Sequence, residues 1–261
     1  METSSFSQIL ESQFKNFETS KQKYEDILTW AERVKEYVSP HNVLLEAPDP
    51  IEYGHLIHIC GNAFIVSILT TMKGHIFISE AIARVGVEAI KEMAIIEVDI
   101  TNHLPIWRRF NLENPHSNEW QQIFGEYRRI FRNRENIRNY DYSAFIRHHE
   151  RTEIINRWGQ LSHSGSHVNF VQTTMNTRFD NTDDTTFMHT GLFDIENTGE
   201  HDIGTSMVYL IDTYFILALI SSRILTRHNT RLKRTTVELE NSYLEWFEFK
   251  IKKAREFGIR P

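Results

Sequence analysis

An all-α helical bundle is the fold class this sequence predicts, and three observations predict it. Apolar residues recur at steps of three and four through most of the chain, which is helical periodicity. Only 11 glycines and 6 prolines occur in 261 residues, so long elements joined by few turns are expected. Residues 207–225, MVYLIDTYFILALISSRIL, are apolar on every side of a helix about five turns long, the pattern of a central, buried helix. Roughly five to seven helices are expected, with residues 1–50 as an N-terminal helical extension and residues 51–261 as the bundle.

The elements follow in order. Phe6, Leu10, Phe14 and Phe17, then Ile27, Ala31, Val34 and Val38, mark helical turns that Ser39-Pro40 closes. Pro48 and Pro50 mark a loop. Helical spacing resumes from Tyr53 to about Ile100, with breaks expected at Gly74 and Gly86 and an end at Leu104-Pro105. Trp120, Phe124, Tyr127 and Phe131 form the next stripe, and Ile154, Ile155, Trp158 and Leu161 the one after. Residues 172–206 turn polar, rich in Thr, Asp, Asn and Gly, with a short hairpin expected around Thr185–Phe193. The buried helix follows, and Tyr243, Phe247, Ala254 and Phe257 mark a final amphipathic helix. No fixed-period repeat is present.

Composition narrows the function classes. With 40% hydrophobic, 25% charged and 12% aromatic residues, this is an ordinary soluble globular chain. A single cysteine, Cys60, rules out a disulfide framework and fits a reducing compartment, so a cytoplasmic location is expected. The first residues show no basic start and no small-residue cleavage site, so no signal peptide is read there. Asp212 and Arg223 interrupt the apolar run at 207–225 and leave too short a clean stretch for a bilayer, so no membrane partner is expected. A net charge of −6 excludes a protein coated in positive field but leaves room for local basic patches.

The stretch Asn156–Asn169, NRWGQLSHSGSHVN, is the most unusual in the chain. As a helix it places Asn156, Gln160, His163 and His167 along one stripe, in steps of 4, 3 and 4. Solvated helix faces carry Lys and Glu, whereas a row of Asn, Gln and His suits a polar cleft. The alternative is a surface stripe closed by a Gly165 cap. Arg157 and His163 in RWGQLSH resemble the Arg-x(4–6)-His signature of the HEPN (higher eukaryotes and prokaryotes nucleotide-binding) proteins, helical bundles that often cleave RNA. The LSHSGSH run and the apolar helix that follows agree in order with HEPN-like families, over roughly residues 55–228. The resemblance implies a metal-independent endoribonuclease acting on RNA, with Arg157, His163, Asn156 and His167 as catalytic residues and two copies meeting as a homodimer. It also implies a toxin or anti-phage defence role, with an antitoxin or other protein partner. The pattern departs from the family in that Trp158, not a polar residue, follows the arginine. An ideal helix also sets Arg157 and His163 about 120° apart.

The chemistry fits these residue types. RNA is cut without metal when a base takes the 2′-hydroxyl proton and a cation stabilises the transition state. Histidine titrates near neutrality and arginine is permanently charged. A second feature, RRIFRNRENIR, holds five arginines, Arg128, Arg129, Arg132, Arg134 and Arg138, interleaved with aromatic residues. Arginine suits phosphate and aromatic rings suit unpaired bases, so these are expected to bind RNA. The alternative is a solvated face paired with Glu126 and Glu135. The run RHNTRLKR at 227–234 is read as a cap on the buried helix. Nothing forms an HExxH pattern, a phosphate-binding glycine loop or a GxSxG elbow, so neither metal nor cofactor is expected. The competing function class is a non-catalytic helical module that binds nucleic acid or a partner protein.

Overall fold

The computed structural model describes residues 6–38, 51–112, 119–165, 177–182, 185–190 and 200–258. Ten α-helices among the described residues pack into an all-α bundle, more than the periodicity alone separates. They are α1 (Phe6–Lys23), α2 (Glu25–Val38), α3 (Ile51–Met72), α4 (Ile76–Val98), α5 (Ile100–Leu112), α6 (Trp120–Tyr127), α7 (Arg134–Asn139), α8 (His148–Gly165), α9 (Glu200–His228) and α10 (Lys233–Glu256). A π-helical turn, Arg128–Arg132, joins α6 to α7, and a 3₁₀ turn, Thr230–Leu232, joins α9 to α10. Between α8 and α9, β1 (Thr177–Thr182) pairs antiparallel with β2 (Thr185–Thr190), with Thr177 opposite Thr190. The hairpin thus lies a little earlier than the expected Thr185–Phe193.

The long apolar helix is central, as its composition requires. α9 packs against α2, α3, α4, α8 and α10. Leu210, Ile211, Tyr214, Phe215, Leu217 and Ile220 are all buried there. α2 lays Ile27, Ala31, Val34 and Val38 into the same core, while α1 leaves Phe6, Leu10 and Phe14 exposed. Two helices, Ile51–Met72 and Ile203–His228, are long and apolar enough to cross a membrane, but 78% of the second one's most apolar window is buried by the rest of the protein.

Two expected breaks behave differently. Gly74 ends α3 with φ 87°, and its N–H donates to Thr71 O (2.8 Å) while that of His75 donates to Thr70 O (3.1 Å). This is the paired closure of a Schellman turn, which needs a left-handed residue. Gly86, by contrast, does not break α4. It lies where a Cβ would sit 2.5 Å from the Tyr214 hydroxyl, so its smallness lets α9 approach. Leu104-Pro105 is not an end either: Pro105 sits inside α5, and the break falls at Asp99. The carbonyl that Pro105 leaves without a helical partner belongs to exposed Thr101, where water can serve it. On α10 the buried ring is Trp246, and Phe247 remains 46% exposed.

Candidate functional site

Helix α8 is fastened to the core at both ends of its described side chains. In its first turn Glu150 accepts from the backbone N–H of Arg147 (2.8 Å), and both of its carboxylate oxygens accept from Arg223 Nη1 (2.8 and 2.6 Å). Arg223 also donates to Glu240 on α10 (2.8 Å), so one arginine ties three helices. Two turns further on, Arg157 is buried against α9. Its guanidinium donates to Thr213 Oγ1 (2.6 Å), Tyr209 O (3.1 Å) and Glu153 (3.3 Å), and makes a short ion pair with Asp212. It also lies 4.8 Å from the Tyr209 ring centroid. Burial pushes the Tyr209 phenol up to about 12, against the opposing pull of Arg157.

Asp212 is the hub of this cluster. Its other oxygen accepts from Trp246 Nε1 and Lys250 Nζ, both at 2.9 Å. Lone carboxylates are not buried in an apolar helix without such partners. The presence of Asp212 inside the 207–225 run is the sequence signal for this network, but it does not say which cations answer it.

Of the residues expected to be catalytic, Asn156 is exposed on α8 while its neighbour Arg157 is turned into the core. α8 continues unbroken through Gly159 to Gly165, so the six-residue step from Arg157 to His163 keeps its rotation of about 120°. The side chain of His163 and all of His167 lie outside the described residues. Four of the five Arg157 N–H groups are engaged by protein atoms, and the guanidinium acts as a strut between α8 and α9. Among the described residues no three His, Cys, Asp or Glu side chains converge as metal ligands do.

The arginine-rich segment has a different geometry. The π-turn directs Ile130 and Phe131 inward and leaves Arg128, Arg129 and Arg132 on the outer side. Arg132 reaches back to Glu88 (2.6 Å) and Glu92 (3.3 Å) on α4 and sits 5.6 Å from the Tyr127 ring. Glu92 also receives Trp107 Nε1 (2.8 Å) and a short bond from the Tyr127 hydroxyl. Burial alone would raise the Glu88 carboxyl, but Arg132 outweighs it and holds the group at about 2. Beside them, burial and the charge of Arg132 bring buried Lys91 down to about 8.

Arg128 and Arg129 stay outermost, with Arg128 5.6 Å from the ring of Phe124. Phe124 is 41% exposed and belongs to a cluster of rings. It lies 6.3 Å from Trp120 and 6.1 Å from Phe110, and Phe110 lies face to face with Tyr127 at 3.7 Å and 8°. Arg138 is exposed on α7, and its carbonyl accepts from Arg151. The Arg134 side chain lies outside the described residues. The structure thus separates the five arginines: Arg132 is held by α4, Arg128 lies against the exposed ring of Phe124, and Arg129 is exposed beside it in the chain. The stack partner Phe110 was not singled out by the sequence, because α5 and α6 meet only in the fold. No protein-family profile, curated protein or solved structure matches this chain.

Proposed function

We propose that this chain is an RNA-binding helical module, with its nucleic-acid surface on α5, α6 and the π-turn. The observation that carries this reading is the exposed Phe124, clustered with Trp120 and Phe110 and overlaid by Arg128, with Arg129 exposed next to it in the chain. Unpaired bases stack on such rings and phosphates pair with such guanidinium groups. A π-turn suits this role, since the extra residue per turn re-aims the side chains at functional positions. The reading includes a cytoplasmic location, in keeping with the single, buried Cys60.

The test is fluorescence anisotropy of single-stranded RNA titrated with the protein. Arg128→Glu with Arg129→Glu is expected to weaken binding tenfold or more, and to reduce the slope of log affinity against log salt by about 1.4, at ~0.7 per phosphate contact. Phe124→Ala is expected to cost about 1–3 kcal/mol with the salt slope unchanged. Unchanged affinity in both variants would reject this surface.

A HEPN-type metal-independent endoribonuclease, serving as a toxin or defence effector, is the second reading. It is favoured by the clamped helix α8, which carries Asn156 on its exposed side and runs unbroken through His163. In that reading His163 is the general base and Arg157 positions the helix. Cleavage of RNA in excess EDTA, yielding 2′,3′-cyclic phosphate ends and lost in His163→Ala, supports it. Binding without cleavage leaves the module reading alone.

A further inference from the structure

Two apolar surfaces on this bundle stay exposed among the described residues. The first is an open groove of about 450 Å³ between α3 and α4, lined by Ile59, Ala63 and Val66 on one side and by Ile78, Ile82 and Val85 on the other. Val66, Ile78 and Val85 are 46, 53 and 51% exposed. α3 has no Asp, Glu, Lys or Arg from Tyr53 to Met72, so the groove wall lacks the charges that mark a solvated helix face.

The second surface is on α1. Phe6, Leu10 and Phe14 step by four along one ridge and are 77, 51 and 68% exposed. Among the described side chains of α1 the buried positions begin at Asn16, where Asn16 and Ser20 are buried and Ser20 Oγ donates to Met72 O (3.0 Å). A few turns of helix with no tertiary support are marginal in water. α1 is one unbroken helix, and none of its residues lines the groove.

We infer that a second copy of this chain completes both surfaces: the α1 ridge of each copy lies in the α3–α4 groove of the other. The lengths agree. Phe6 to Phe14 spans about 12 Å of helix, and Ile59 to Val66 about 10 Å. A Phe side chain carries roughly 200 Å², so each ridge hides on the order of 350 Å² and its groove a similar area. Two reciprocal contacts total about 1,400 Å², within the range of stable pairs. Reciprocity closes the assembly at two copies rather than extending a filament. This pairing is independent of the proposed RNA surface, since none of its residues lies in α5, α6 or the π-turn.

The experiment is light scattering on the full chain at micromolar concentration. The wild type is expected to elute at twice the 30.9 kDa of one chain. Leu10→Asp with Phe14→Asp, and separately Val85→Asp, are expected to give single chains with unchanged circular dichroism, because all three positions are exposed. Leu10→Cys mixed with Val66→Cys is expected to cross-link between chains on oxidation, the native Cys60 being buried. A monomeric wild type overturns the pairing, including one that instead floats with phospholipid vesicles through the α1 ridge. A dimer broken by Val85→Asp but intact in the α1 variant overturns the arm as occupant and leaves groove against groove.

Discussion

Arg157 stands in a motif where the sequence asks for a catalytic cation, and the fold uses it to neutralise a carboxylate 55 residues away. Removing one partner of a buried pair costs about 3–5 kcal/mol, and here Lys250 and Trp246 still hold the other oxygen of Asp212, which places the cost at the lower end. Arg157→Ala is therefore expected to lower stability by that amount in urea unfolding, and any loss of activity in this variant has to be read against its folded fraction. Arg157→Met with Asp212→Leu is expected to recover part of the loss, because both buried charges are gone and the Lys250 left behind is partly exposed to water. Lys91 is the reverse case, a charge whose burial opposes folding. Its ammonium is packed with Arg84, Glu88, Glu92 and Arg132, and its pKa falls from 10.5 to about 8. Between those values the unfolded chain binds the proton that the folded chain has released, so stability rises with pH across that interval. Below about pH 8 both states hold the proton and the cost is fully present. Lys91→Met removes that cost, so its melting temperature is expected to exceed the wild type's near neutrality, with the gap shrinking as pH climbs toward 10.5. A constant gap would show that Lys91 does not titrate there.

At the scale of elements, periodicity located most of the helices but not α5 or α7, and its errors at glycine and proline fall where local signals have two uses. Gly74 and Gly86 look alike in sequence, yet one closes a turn at φ 87° and the other makes room for a ring. Gly86→Ala drives a methyl into the Tyr214 hydroxyl and is expected to cost about 1–3 kcal/mol by overpacking, measured by chemical denaturation. Tyr214→Phe in the same background is expected to return only part of this, because the ring carbon Cε1 is itself 2.9 Å from the added atom. Pro105 reads as a stop but is absorbed within α5 because the carbonyl it leaves open is on an exposed residue. The stripe Trp120, Phe124, Tyr127 and Phe131 was legible, but the π-turn that follows was not. Nothing local in RRIFR demands a wider turn, and its geometry depends on Glu88 and Glu92, some 40 residues earlier, drawing Arg132 back toward α4.

For the whole molecule, α9 is the axis on which the other elements depend. Its apolar surface meets α2, α3, α4, α8 and α10, and two of its charges, Asp212 and Arg223, each fasten α8 from one end. The pairing is antiparallel, Glu150 with Arg223 and Arg157 with Asp212, and opposite in sign at the two ends. A slip of one turn would therefore strand four buried or half-buried charges. This specifies the placement of α8, and with it the direction from which any residue of that helix meets solvent. The sequence by itself determined the all-α class, the central position of residues 207–225, and most helix spans, because periodicity and length are local properties of the chain. It also places Asp212 inside that apolar run, where an isolated charge does not belong. Only the tertiary structure decided that Asp212 pairs with Arg157, that Arg132 was drawn to α4 while Arg128 and Arg129 stayed outside, and that Phe110 joined the aromatic stack. A charge or a ring takes whatever neighbour the packing delivers, and neighbours tens of residues apart are set by how helices cross rather than by spacing along the chain.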